Sequence, residues 1–426
     1  MSAEVKTGYK QTEVGVIPEE WDVADFDTLG SVIDGDRGTN YPSSEDFSNS
    51  GHCLFLNAGN VTKEGFKFTD CAFITQERDA RLNKGKLERN DIVLTTRGTV
   101  GNLAHFDTAV PFENIRINSG MVILRNTSPS VDNTFLYTLL QSRLIQNQIE
   151  RLSFGSAQPQ LTVKGISKFG IVVPALPEQR AIAGALSDVD ALIGVLGKLI
   201  DKKRDLKQAA MQQLLTGKQR LPGFSGKWEL LSMAEKSTLK ARIGWQGLTT
   251  AEYLPTGEYY LVTGTDFVGG RVNWSTCCFV DASRYVKDKN IQLKPRDILL
   301  TKDGTIGKVA FVDALPRPAT LNSGVFVICP KGDAYDPLFF YYILTSRVFE
   351  DFLAQLQAGS TISHLYQKDF INFRFRAPSL PEQTAIAAVL SDMDAEIAAL
   401  EQRRDKTKAI KQGMIQELLT GKTRLV

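Results

Sequence analysis

The sequence carries a long internal repeat. Residues 176–221, LPEQRAIAGALSDVDALIGVLGKLIDKKRDLKQAAMQQLLTGKQRL, return 204 positions later as residues 380–425, LPEQTAIAAVLSDMDAEIAALEQRRDKTKAIKQGMIQELLTGKTRL, with 26 identities in 46 positions. A repeat on this scale decides the architecture before any local pattern does, because each copy must fold into an equivalent unit. The match fades upstream: residues 135–174 against 339–378 keep 12 identities in 40. Further back, DIVLTTRGTVG from Asp91 pairs with DILLTKDGTIG from Asp297, and NSG from Asn118 with NSG from Asn322. The 426 residues are therefore one module, a domain followed by a helix, written twice. The expected divisions are a first domain at 1–175, a spacer helix at 176–221, a second domain at 222–379 and a C-terminal spacer helix at 380–426.

Both copies of the strong repeat read as long helices. Pro177 and Pro381 suit a first helical turn, and the Glu and Gln that follow favour the positive end of the dipole. Gly217 and Gly421 stand where a left-handed C-terminal cap wants glycine. At 1.5 Å per residue such a helix reaches roughly 60 Å. Ile182, Leu186, Val189, Ile193 and Leu196 run in steps of four and three, and Ile386, Leu390, Met393, Ile397 and Leu400 answer them, a seam suited to helix pairing. The phase slips near Lys202 and resumes as Leu206, Ala210, Leu214 and as Ile410, Met414, Leu418. The apolar spacing fits either direction of pairing; the antiparallel one, which gives a pseudo-two-fold axis and places the domains at opposite ends of a rod, is the expectation. Gly184, Gly194 and Gly197 fit either a close helix crossing or simple drift. The basic residues of the C-terminal halves, seven against two acidic in both 198–220 and 403–424, suit the helix dipole, phosphates or a partner surface.

The domains look different. DIVLTTR, GMVILRN, DILLTKD and GVFVICP are short, β-branched and bounded by turn formers, which predicts strands. TFLYTLLQSRLIQNQIERL and PLFFYYILTSRVFEDFLAQL predict helices. The expected fold class is α+β: two α+β domains separated by two long helices that form an antiparallel coiled coil.

Composition excludes more than it identifies. Fifty Lys and Arg against 48 Asp and Glu give a net charge of +2, which neither announces nor excludes nucleic acid, since a basic face can be cancelled elsewhere. No window approaches a membrane span and the start lacks a signal-peptide core, so a cytoplasmic protein is expected. Five cysteines without a C-x-x-C and three dispersed histidines argue against a disulfide framework or a zinc site. LLTGKT lacks the upstream glycine of a phosphate loop and closes a helix rather than opening one. GTVG and GTIG read as tight turns, and no nucleophile elbow occurs. No catalytic or metal-ligating residues are assigned.

What remains is the chemistry of binding. Loops at matched places carry small, polar and basic residues: Arg97, Thr99, Asn118, Ser119, Ser156, Gln158 and Gln160 in the first copy, and Lys302, Asp303, Thr305, Asn322, Ser323, Ser360, Thr361, Ser363 and His364 in the second. Arginine and lysine take phosphates or a guanine edge, and glutamine matches adenine. The same residues are also turn formers. Arg97 is read as facing Lys302, and Gly98 as facing Asp303, with the loop chemistry changed between copies.

LPEQxAIAxxLSDxDAxI and QxLLTGKxRL, repeated after each of two diverged domains, with the lead-in YKQTEVGVIPEEWDV, closely resemble the specificity subunit of type I restriction-modification systems. The resemblance spans essentially the whole chain. It implies that each domain is a target recognition domain reading one half of a split, asymmetric site in double-stranded DNA. It implies that the helices set the gap and dock two methyltransferase subunits, with restriction subunits joining them. S-adenosylmethionine, ATP and Mg would then belong to those partners, and this chain would bind no cofactor and perform no catalysis. A two-domain protein-interaction scaffold is the competing reading.

Overall fold

A computed structural model describes residues 6–153, 160–242, 247–357 and 364–425. The chain forms two compact units, residues 1–196 with 403–426, and residues 197–402.

In the first unit a four-stranded sheet has the order Leu103–His105, Ile92–Thr95, Met121–Asn126, Gly30–Asp34, antiparallel throughout. A second sheet pairs Cys53–Phe55 with Ile115–Arg116 in parallel and with Phe73–Ile74 antiparallel. The second unit repeats both. Ser237–Ala241, Val325–Pro330, Ile298–Thr301 and Val309–Phe311 lie in equivalent order within a six-stranded sheet. Tyr259–Val262 is flanked by Ala319–Leu321 and Cys278–Val280.

The apolar runs follow from burial on both faces of the main sheet. Successive side chains of a strand point to opposite faces. Ile92, Leu94, Val122 and Leu124 enter one core, while Val93, Met121 and Ile123 enter another. Ile298, Leu300, Phe326 and Ile328 separate from Leu299, Val325 and Val327 in the same manner. A strand covered on both sides has no polar alternation to display.

The long helices are Leu176–Leu214 and Leu380–Leu418, 39 residues each. Gln179 fixes the start of the first: its Nε2 donates to the Pro174 and Ser130 carbonyls, and its Oε1 accepts from the Asp132 N–H. Gln383 makes the equivalent bonds to Pro378 and Asp336. Beyond the helix ends Gly217 and Gly421 take φ of +69° and +67°. Backbone hydrogen bonds reaching back six positions, from the Gln219 N–H to the Gln213 carbonyl and from the Thr423 N–H to the Glu417 carbonyl, close both ends.

The helices pair antiparallel in each unit. In the second, Lys203, Lys207 and Arg220 meet Glu396, Asp394 and Glu382, so the partner number falls as the first rises. In the first, Lys411 meets Asp190 and Arg424 meets Glu178. The basic halves are thus engaged by the acidic halves of the opposite helix. Of the ten seam residues, Ile182, Leu186, Leu196, Ile386, Leu390 and Ile397 are buried and Val189, Ile193, Met393 and Leu400 half-buried.

One expectation about the helices is corrected. Leu206 and Ile410 are about half exposed, not seam residues. The paired face instead passes through Lys203, Lys207, Met211 and Leu214, and through Thr407, Lys411, Ile415 and Leu418. The lysine stems lie along the interface while their ammonium heads reach carboxylates. A Cβ added at Gly184, Gly194 or Gly197 would meet nothing within 4 Å, so these glycines mark no close crossing. Among the described residues no helix is long and apolar enough to cross a membrane.

Candidate nucleic-acid interface

In each unit three loops converge at one end of the main sheet. In the first unit the Thr96 N–H and hydroxyl both donate to the Gly120 carbonyl, and the Leu161 N–H donates to the Thr96 carbonyl at 3.1 Å. Thr95 Oγ1 donates to the Thr99 carbonyl and accepts from the Asn102 N–H. The Asn118 side chain accepts from the Gly120 N–H and shapes the NSG turn.

The second unit repeats this bracing. The Lys302 N–H donates to Gly324, the Leu365 N–H donates to the Lys302 carbonyl at 2.8 Å, Thr301 Oγ1 bridges Thr305 and Lys308, and Asn322 accepts from the Gly324 N–H. Gly98 and Gly304 hold φ near +70°, as a tight turn requires.

The bracing corrects the register read from sequence. Thr96 and Lys302 make the same contacts, so Arg97 is equivalent to Asp303 and Gly98 to Gly304. The pairing of DIVLTTRGTVG with DILLTKDGTIG carries the same register, and only the segment from this turn to the NSG turn is two residues shorter in the second copy, 15 positions (307 to 322) against 17 (101 to 118).

At the tips the side chains differ. Arg97, Thr99 and Gln160 are exposed, and Asn118 and Ser119 are half-buried. With the Gln160 amide oxygen turned toward Arg97, it accepts from Nε at 3.1 Å and Nη2 at 2.9 Å. In the second unit Thr305 and Ser323 are exposed, and Lys302, Asp303, Asn322 and His364 are half-buried. His364 Nδ1 contacts Asp303 Oδ1, and Lys302 Nζ lies 3.5 Å from Asp303 Oδ2. Ser156, Gln158, Ser360, Thr361 and Ser363 lie outside the described residues.

Two neighbours carry chemistry that the sequence reading passed over. Arg37 Nη2 donates to the Ser119 carbonyl at 3.2 Å and to Asp34. Its loop is held by Asp36, whose carboxyl is lowered chiefly by the Gly38 N–H and also accepts from Asn83. Gly35 is obligatory there, because a Cβ would sit 2.3 Å from the Asn118 carbonyl oxygen. Tyr366 is more than half exposed and its ring lies 4.5 Å from that of His364. The signals were present as the glycine-flanked DGDRG and the HLY tripeptide. Such a surface offers donors, acceptors and aromatic area; among the described residues no cluster of metal-ligating groups occurs.

The sequence motifs at the helix ends meet one another within each unit. Glu178, 1% exposed, accepts from Arg424 Nη2 at 2.8 Å and from Trp21 Nε1 at 3.0 Å. Glu382, fully buried, accepts from Arg220. The LPEQ of each copy is therefore neutralised by the GKxR of the other.

Comparison with known proteins places this architecture. The MjaVIII type I restriction enzyme specificity subunit of Methanocaldococcus jannaschii is 24% identical over 427 residues, covering 96% of this chain and 94% of that protein. The EcoKI specificity subunit of Escherichia coli is 24% identical over 214 residues, 48% of this chain and 44% of its own. The crystal structure of a type I restriction-modification S subunit from M. genitalium shares the fold, with a TM-score of 0.59, 17% identity and 98% of both chains covered. A structure described in work on assembly and conformational transition of the type I restriction-modification system gives a TM-score of 0.58 at 16% identity, covering 96% of this chain and 99% of that one. With residues 18–202 and 249–411 both matching its model, the chain belongs to the type I restriction modification DNA specificity domain family.

Proposed function

We propose that this chain is the DNA-reading subunit of a type I restriction-modification complex and performs no catalysis itself. Each unit reads one half of a split, asymmetric target in the major groove, with phosphate contacts fixing its register. The long helices dock two methyltransferase subunits, restriction subunits join the complex, and S-adenosylmethionine, ATP and Mg are used by those partners in the cytoplasm.

One observation carries this reading. The loops of the two units share their backbone bracing, while the side chains at the tips change from Arg97 and Gln160 to Asp303 and His364. A constant frame with exchanged tips suits two modules that perform one operation on different bases. The test is the methylome of the host with and without this gene: a split asymmetric motif should lose its methylation on deletion. An unchanged methylome contradicts the proposal.

A further inference from the structure

The exchanged tips have a more specific consequence, which rests on the DNA-reading function proposed above. Thr99 with Thr305, Asn118 with Asn322 and Ser119 with Ser323 are identical between units and cannot distinguish two half-sites. Asn118 and Asn322 also spend their side-chain oxygens on the turn. Lys302 lies over the Phe326 ring at 5.7 Å and beside its own neighbour Asp303. Among these tip positions, charge inverts between Arg97 and Asp303, and the loop neighbour of each changes from Gln160 to His364.

At these positions each side chain is steered by a partner on the neighbouring loop and keeps capacity to spare. Gln160 occupies Nε and one hydrogen of Nη2 of Arg97, leaving Nη1 and the other Nη2 hydrogen. Those are the donors that meet guanine O6 and N7 together. His364 faces Oδ1 of Asp303, leaving lone pairs on Oδ2, with Lys302 at 3.5 Å. A carboxylate at a DNA surface is repelled by phosphate, so its favourable partner there is an exocyclic amino group, which cytosine presents as N4 in the major groove.

We infer that Arg97 steered by Gln160 and Asp303 steered by His364 are the equivalent specificity-determining pairs of the two units, the first selecting a guanine edge and the second a cytosine amino group. The test uses the full chain expressed with its modification subunits and reads the methylated motif. The Asp303→Arg/His364→Gln double variant gives the second unit the first unit's pair. It should turn one C·G pair of the second half-site into G·C, with a preference of about tenfold to a hundredfold, and leave the first half-site untouched.

Asp303→Asn, a near-isosteric change, should relax the same single position toward adenine. A double variant that still methylates the original second half-site overturns the inference, as does an Asp303→Asn protein with unrelaxed specificity. A parent complex that reads no split sequence would instead overturn the DNA-reading function on which the inference rests.

Discussion

Beneath the tips, the two units answer one structural demand with different chemistry. Asp91 in the first unit accepts from the Glu88 N–H and forms a two-point ion pair with Arg125 at 2.9 and 2.7 Å. Asp297 in the second accepts from the Lys294 N–H, but the residue equivalent to Arg125 is Cys329, whose Sγ donates at 3.0 Å. Burial pushes the Asp297 carboxyl up, only partly offset by the Cys329 and Lys294 hydrogen bonds and the charges of Lys294 and Lys240, and the Cys329 thiol is pushed up to about 12 chiefly by burial. The backbone contact is retained and the side-chain partner is replaceable. The helix ends behave oppositely, because Glu178 with Arg424 and Glu382 with Arg220 each join the two copies. A change in either copy of that motif must suit the other.

The largest expected effect follows from that exchange. Deleting residues 403–426 removes Ile415, Leu418 and Leu419 from the first unit's core. Each loss of this kind costs about 2–5 kcal/mol, comparable in sum with a whole domain's stability. Calorimetry should show the first unit's transition abolished and the second's retained; two intact transitions would break the account.

A second comparison separates the arginines. Without Arg424, Glu178 keeps its Trp21 bond, whereas Trp228 Nε1 has no partner among the described residues and Glu382 depends on Arg220. Arg220→Ala should therefore lower Tm more than Arg424→Ala, measured on the transition of the unit concerned.

Asp91→Asn should cost about 2 kcal/mol, since Arg125, partly buried, is left with Glu88 as its one remaining carboxylate partner among the described residues. Asp297→Asn should be neutral or stabilising, read by denaturant unfolding. The pH dependence contributed by Asp297 has the opposite sign to that of the lowered carboxylates of the first unit. The raised Asp297 favours its protonated form in the fold, so its contribution is full at low pH and declines as pH rises through the folded value.

In the first unit Asp36 is lowered by its backbone donors. Burial would raise Asp79, but hydrogen bonds from Lys86 and Arg116 hold it below the usual range. Their stabilisation is present above the unfolded carboxylate pKa and is lost as pH falls. From pH 5 to 3 the first unit's Tm should fall further than the second's. Smallest of all, Leu206→Ala and Ile410→Ala should change stability by about 0.5 kcal/mol or less.

Much of this was legible in the sequence. The repeat exposed the two-fold organisation, and identical LPEQ and LLTGK motifs marked both ends of helices that the structure bounds at Leu176–Leu214 and Leu380–Leu418. Pairing direction was not legible in the apolar stripe, which fits either orientation. It was written in the charges instead: Asp190, Asp394 and Glu396 lie in the first halves of the helices, and Lys203, Lys207 and Lys411 in the second halves. The Glu178–Arg424 clamp spans 246 positions, so neither residue announces the other. At the site, Arg97 and Gln160 were legible as types, and the paired motifs from Asp91 and Asp297 carry the equivalence of Arg97 with Asp303, but the coupling of Arg97 to Gln160 across 63 positions (160 − 97) needed the structure.

The most direct test of a constant frame with exchangeable tips replaces residues 222–379 by the corresponding domain of another family member and sequences the methylome. A motif whose second half alone changes is the predicted result. A change in both halves would contradict the account.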